Sequence, residues 1–527
     1  MLKGVFYCVL FPIWEGFDEY EHFAFIQFVE NHHHLPVPET VVSKEIDESL
    51  KLVPLPWLLR QWPPPHVTHD EYWQWPTGER QMREQKLLRL PLSSQAERAE
   101  ANDNVLYEGQ QGPLYYWLMT PLHWAVHKAS LPSRVFLLRV VNVLLASLII
   151  PIAFAAGRIF FRDDYAALAT CVLLAVMPQL YIDTSRVGNQ TLATVLYAAL
   201  TLLCLAALNG KPRYLSIGTV LGLLLLAKSY SLAAVPAVCF VLMWLALRSK
   251  DPGRSWYLSA ASLGCAGLVA GWWYLRNFQL MGTIVWLAGF PNRPTRISDF
   301  VHYVPQVDWV TALKSFVASD LWFGNWSFLT VRSWMYQVLE ALILLVIAGL
   351  VIMTARSLRS RSDNLPMRNI VTVGLMFCGF IAALAYHVLV IFMNTGIPAT
   401  CGWYLYAVVV PEALLAITGV MAFRQWARKL LLVLMGSLVA LELYATNWVL
   451  IPYYTGLIVH TPSGSLESFH PGRVGITFTD IVGRLHSNRP PFLTDGVVLI
   501  LWLLYLISVA GVYYVAVRTS DRIALPR

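Results

Sequence analysis

Apolar stretches long enough to cross a bilayer recur along nearly the whole chain, and this leaves few folds open to it. The hydrocarbon core of a membrane needs about 20 apolar residues per helix. Such runs lie near residues 2–14, 134–161, 165–182, 190–209, 214–227, 231–248, 257–279, 335–355, 369–393, 403–423, 429–450 and 495–517. They predict an all-α polytopic membrane protein with about 12 transmembrane helices. Composition agrees: of 527 residues, 57% are hydrophobic and 13% charged, where a soluble domain carries about 25% charged residues. A soluble globular protein, a disordered chain, a fibrous repeat and a disulfide-stapled secreted domain are excluded. The seven Cys form no CxxC pair and no zinc spacing.

The first run, LKGVFYCVLFPIW, rises only about 20 Å as a helix. Either the start codon is set too late or this helix enters the membrane partway. No small-residue cleavage site follows, so it is not a signal peptide.

Lys and Arg in the short loops set the orientation. Arg162, Lys211, Arg213, Arg248, Lys250, Arg254, Arg356, Arg359, Arg361, Arg368, Arg424, Arg428 and Lys429 fall on one side, and Arg518, Arg522 and Arg527 join them. The net charge of +7 is thus a positive-inside signature, not a nucleic-acid one. That side is expected to be the cytoplasm and to hold both termini. The chain then divides into a short first helix (1–14), a first external loop (15–133), helices two to seven (134–279), an external loop (280–334), helices eight to eleven (335–450), an external loop (451–494), and a last helix with a cytoplasmic tail (495–527). Residues 39–104 could form a small, partly helical insert, and 113–129 (PLYYWLMTPLHWAVHKA) reads as a helix lying in the interface plane. No internal repeat, Walker loop or GxGxxG occurs, so a nucleotide-driven pump is not expected. Any chemistry belongs on the external face.

Just outside the first helix, WEGFDEYEHF puts Glu15, Asp18, Glu19, Glu21 and His22 within eight residues. A carboxylate at such a junction could be a general base for an acceptor hydroxyl or amine. Asp18 and His22, four apart, would share one helix face, with Glu19 beside them, and could instead hold an optional divalent metal. The plain alternative is an acidic N-cap and first turn. His32, His33 and His34 are consecutive, and consecutive residues on a strand point to opposite faces, which argues against one shared ion. Four cations could meet an anionic ligand at the external side: Lys228, Arg276 (followed by Asn277), Arg186 and Arg332. Snorkelling to the headgroups is the alternative for each. His387 reads as a satisfied interhelical polar group, and WFGNWSF at 322–328 as interfacial anchoring or an aromatic sugar platform.

Seven strings, in order, carry a resemblance. They are DEYEHFAFIQFVENHHHLPVPE, GQQGPLYYWLMTPL, LRVVNVLLASLIIPIAFAAGRIFF, MPQLYIDTSRVGNQTLATVLYAAL, LLLLAKSYSLAAVPAV, GWWYLRNFQLMGT and CGWYLYAVVVPEALL. Together they cover most of residues 1–420 and resemble the GT-C superfamily of membrane glycosyltransferases. The chain is most similar to bacterial members related to the lipid-linked-sugar-dependent mannosyl- and arabinosyltransferases.

The resemblance implies a GT-C-type fold and transfer of a sugar from a polyprenyl-phosphate carrier to a lipid, glycan or protein acceptor, with inversion and no nucleotide or certain cofactor. It implies Asp18 as general base, with Glu19 or His22 as its partner. It favours Lys228 and Arg276 with Asn277 for the carrier phosphate, and leaves Arg186 and Arg332 as snorkelling cations. Gln110, Gln111 and Tyr115 would line the acceptor side. It places the protein in a bacterial cytoplasmic membrane. Two positions depart from the family pattern: Gln190, where many relatives are acidic, and Trp403, where the last motif carries Arg. These departures, with the short first helix, keep a second reading open: a non-catalytic subunit or scaffold of the same fold. A transporter or flippase would show two related halves with midplane charges, and neither occurs.

Overall fold

Helices account for nearly all regular structure. A computed structural model describes residues 1–62, 64–92, 104–285, 290, 293–294, 296–359, 366–473 and 475–522. Arg361, Arg527 and positions 93–103 of the expected insert lie outside the described residues. Among the described residues, nine helices are long and apolar enough to cross a membrane. They are Leu131–Phe161, Gln190–Leu208, Ser229–Arg248, Pro252–Met281, Ser333–Arg356, Met367–Thr395, Gly402–Met421, Arg424–Tyr454 and Asp495–Ser520. A further apolar pair, Asp164–Val176 and Pro178–Thr184, is bent by 64° where Pro178 interrupts the helix, as in a broken span or a re-entrant loop. The two remaining expected runs form shorter helices, Tyr214–Ala227 and Leu2–Leu10. The short Tyr214–Ala227 helix runs beside Pro252–Met281 at backbone contact, since Gly218 faces the Ser262 carbonyl with no room for a Cβ.

The basic ends of the helices meet. Arg428 pairs with Asp521, Arg158 with Asp164 at 2.7 Å, Arg356 donates to the Ala422 carbonyl at 2.8 Å, and Asn209 donates to Asn369 at 3.1 Å. Segments 15–133, 280–334 and 451–494 meet at the other end. Glu15 is the knot. Its carboxylate accepts from Ser327 N at 3.0 Å and pairs with His69 at 3.1 Å. Asp70 pairs with His460 at 3.0 Å, and Trp73 Nε1 donates to the Tyr454 carbonyl at 3.0 Å. The insert contains helices Lys44–Leu50 and Thr77–Leu88 and a two-residue parallel pairing of Pro54–Leu55 with Val67–Thr68. The segment expected in the interface plane forms Leu114–Ala125, a helix of about 18 Å, too short to be an ordinary span.

The first helix stops at Leu10, short of the expected Trp14. The physical reason is Pro12, which has no N–H to continue the ladder and whose ring would meet the Cys8 carbonyl; two guanidinium groups then take the carbonyls left free at and after the last turn. Arg139 donates to Phe11 O and Pro12 O at 2.7 Å each and to Cys8 O at 3.3 Å. Arg489 donates to Val9 O, and to Leu10 O at 2.8 Å. Cations at a helix C-terminus also oppose its dipole favourably. The same Arg139 grips Glu19, with 2.7 and 2.5 Å bonds to its two oxygens. Both side chains are buried.

Removing Arg139 strands the Glu19 charge in the interior. Arg139→Met is expected to lose about 3–5 kcal/mol of stability, and the double variant with Glu19→Leu to regain a large part of it. Thermal unfolding in detergent checks this; equal Tm values for wild type and the single variant would disprove it.

Candidate active site

Asp18 sits at the entry to helix Glu19–His32 with φ 53°, a left-handed conformation that Asp tolerates better than most residues. It occupies the N-cap position, yet its side chain accepts no capping hydrogen bond. The carboxylate is half-buried and makes no hydrogen bond to a described residue. Burial raises its pKa, and the nearby Arg186 and Lys228 charges oppose that rise. The carboxylate is thus left unengaged beside two basic side chains.

Neighbouring residues have other tasks. Glu19 is fully buried, and its oxygens take Arg139 and the Val187 N–H at 2.9 Å. It therefore anchors the loop and does not face a substrate. His22 Nδ1 lies 2.8 Å from the Tyr116 hydroxyl. Burial holds its pKa well below the usual histidine value, and the Lys228 and Arg186 charges add to this. Glu21 is buried, with its pKa pushed well up by burial and by the Asp18 and Glu108 charges. Glu108, absent from the sequence reading, is buried 3.8 Å from His22. Burial and the Asp18 carboxylate push its pKa up to about 8.

Lys228 ends helix Tyr214–Ala227 in an extended conformation, φ −159°. Its ammonium donates to Asn189 Oδ1 at 2.9 Å, and Asn189 Nδ2 donates to Gln111 Oε1 at 3.1 Å. Among the described residues no carboxylate lies within ion-pair distance of Lys228. Gln111 reaches this group because Gly112 lets the chain touch the Leu226 carbonyl, where a Cβ would clash. Arg186 differs from its expected snorkelling role. It is 5% exposed, pairs with Asp183 at 2.5 Å and donates to the Phe17 carbonyl at 2.5 Å. The i−3 carboxylate and the Asp18 loop keep its guanidinium inside the protein.

Other expected residues stand apart. Arg276 donates to the Pro36 carbonyl at 2.8 Å and lies over Trp273, without a charged partner among the described residues. Asn277 is buried and bonds Ile284 O at 3.4 Å. Tyr115 is buried and accepts from Gly188 N at 3.1 Å, which shapes the turn after Arg186. Gln110 is buried beside it in sequence. Arg332 is exposed and donates to Tyr444 at 3.1 Å. His387 is satisfied by Thr400 at 2.8 Å. Of the 322–328 aromatics, Trp322 is fully buried and Trp326 is buried and stacks on Tyr20 at 5.9 Å, while Phe323 and Phe328 are half-buried. Trp403 stacks on Phe17 at 3.9 Å, directly behind Asp18.

A metal fits poorly. Among the described residues no group of three or more His, Cys, Asp and Glu side chains could hold an ion. Glu19, one of the three expected ligands with Asp18 and His22, is held by Arg139, and the cluster already contains two cations.

No family model and no curated protein matches the chain. Among solved structures it is similar to ArnT from Cupriavidus metallidurans in the apo state, with 15% identity, TM-score 0.41, and coverage of 94% of this chain and 75% of that one. It is also similar to the Archaeoglobus fulgidus oligosaccharyltransferase in complex with Zn and sulfate, with 15% identity, TM-score 0.40, and coverage of 78% and 57% respectively. Likeness at this level says nothing of chemistry, which has to come from the residues themselves.

His22 is expected to remain neutral at pH 6, where an ordinary histidine is largely protonated. Ring-nitrogen NMR on the 15N-His protein checks this, and an imidazolium signal from His22 at that pH would contradict it.

Proposed function

We propose that the chain is a GT-C-type membrane glycosyltransferase that moves a sugar from a polyprenyl-phosphate carrier to an acceptor hydroxyl or amine. The observation that carries this reading is Lys228: an ammonium held by an amide, with no carboxylate in pairing distance among the described residues, in the same cluster as an unengaged Asp18. Such a pairing of free cation and free base suits anionic leaving-group chemistry.

Asp18 takes the proton of the acceptor as its oxygen or nitrogen attacks the anomeric carbon. The bond from that carbon to the phosphate oxygen breaks, and the electron pair leaves on the phosphate. Direct displacement inverts the anomeric centre. The carrier passes from a singly charged diester to a monoester with about twice that charge. Lys228, with Arg186 behind it, meets the charge that develops, which favours the transition state over the ground state. Arg186 takes the place that the sequence pattern assigned to Arg276. Glu19 and Arg139 hold the Asp18 loop, and His22, neutral, leaves the proton to Asp18. The site faces the external side of a bacterial cytoplasmic membrane, with both termini in the cytoplasm. No step uses a metal.

One observation favours a second reading, a non-catalytic subunit of the same fold. Trp403 fills the position where the family motif has Arg and packs against Phe17.

Reconstituted protein offered radiolabelled polyprenyl-phosphate sugars and an envelope extract separates the two. Asp18→Asn is expected to lower transfer about 10²–10⁴-fold with its Tm unchanged. Lys228→Met is expected to weaken both KM for the donor and kcat. Transfer retained in Asp18→Asn would remove Asp18 as base. Absence of transfer from every donor by the wild type would favour the subunit.

A further inference from the structure

One buried amide holds two consecutive residues at the end of helix Tyr214–Ala227. Asn189 is fully buried at the entry to helix Gln190–Leu208. Its Nδ2 donates to the Ala227 carbonyl and to Gln111 Oε1, at 3.1 Å each. Its Oδ1 accepts from the Lys228 ammonium at 2.9 Å. Two acceptors on one side and a cation on the other leave the amide a single orientation. Turned over, it would aim N–H groups at the ammonium and its oxygen at two carbonyls. The backbone beneath it is fixed as well. Asn142 Nδ2 donates to the Arg186 carbonyl and, at 3.4 Å, to the Gly188 carbonyl, while the Tyr115 hydroxyl takes the Gly188 N–H at 3.1 Å. The bond to Asn189 is the one hydrogen bond that the ammonium makes to a described residue, and Lys228 itself is half-buried.

We propose that Asn189 is a positioning residue for the anion site: it aims the Lys228 ammonium and, being an amide, leaves that charge uncompensated for a phosphate. The inference rests on reading Lys228 as the phosphate cation. Amide and carboxylate have nearly the same shape and differ in charge. A carboxylate at position 189 would pair with Lys228 and compete with any phosphate for it. The amide holds the ammonium by a dipole alone, so two of its three N–H donors and its full charge stay available. Without the amide, the ammonium would sit on a flexible four-carbon stem and lose its aim. An ordering fixed in folding does not have to be supplied when the ligand binds. Gln111 contributes by setting which way the amide faces, so the external loop and the bundle meet on this one side chain.

The test uses the purified full chain in detergent and two probes, farnesyl phosphate and farnesol, titrated by calorimetry at neutral pH. The probes share the prenyl chain and differ in the phosphate. Wild type is expected to bind the phosphate more tightly than the alcohol, and Lys228→Met to lose that preference. Asn189→Ala is expected to lower farnesyl phosphate affinity about tenfold, the scale of one hydrogen bond to a charged group. Asn189→Asp is expected to lower it further, with farnesol affinity unchanged in both variants. A merely structural role would weaken the two probes alike, and that result overturns the proposal. A preference kept by folded Asn189→Ala and Asn189→Asp, where Lys228→Met loses it, overturns the role of Asn189 and leaves the phosphate site standing. A preference kept by Lys228→Met, or absent from the wild type, overturns the reading of Lys228 and the role of Asn189 together. Melting curves establish which variants are folded, and Asn189→Ala decides where Asn189→Asp is not.

Discussion

Everything at the loop-rich end depends on one buried guanidinium. Arg139 joins the last turn of the first helix to Glu19, through three backbone carbonyls and a two-oxygen ion pair. A buried charge of this kind is tolerated only when its donors are satisfied. Here five bonds satisfy it, to four residues on either side of the turn that leads into Asp18: Cys8, Phe11, Pro12 and Glu19. The Val187 N–H on the same carboxylate extends the clamp to the Arg186 turn. Asp18 and Arg186 are thus set by a single network in the bundle, rather than by the loop that carries Asp18.

Electrostatics explains why the cluster is not simply an ion-pair network. Asp18, Glu21 and Glu108 place three carboxyls near two cations. Burial pushes the pKa of Glu108 up to about 8 and raises those of Glu21 and Asp18, so the carboxyls do not simply pair off with the cations. Arg186 has its own counter-ion in Asp183, which leaves the Lys228 charge for a ligand.

Most membrane helices were legible because hydropathy over a 20-residue window is a strong signal: among the described residues, nine of the twelve expected runs form helices long and apolar enough to cross, one forms a bent pair, and two form shorter helices. Their exact ends were not. The first helix stops early at Pro12, which the sequence shows, but the partners of the freed carbonyls were not legible: Arg139 and Arg489 lie 128 and 479 positions away from carbonyls they hold. Asp18 and Lys228 stood out as charges where charge is costly. Arg186 was equally visible, but snorkelling and burial look alike until Asp183 is found against it. Glu108 carried no signal: it sits in YEGQQGP, a polar turn with no spacing that marks chemistry. Glu19 misled for the opposite reason, since adjacency in sequence to Asp18 puts its side chain on another side of the helix start, against Arg139.

The half-buried members of the cluster are informative as a set. Asp18, Gln111, Lys228, Tyr230 and Tyr404 retain some exposure, whereas Glu19, Glu21, His22, Glu108 and Arg186 do not. The exposed set contains the free base, the free cation and two aromatic rings 5.4 and 6.0 Å from that cation. The buried set contains the groups that fix or tune them. Such a division lets a substrate meet charge without rearranging it, because the ordering of the charged groups is completed in folding and not at the moment of reaction. It also separates two kinds of substitution. Changes in the buried set act through stability or through the protonation of a neighbour, while changes in the exposed set act on whatever meets those side chains.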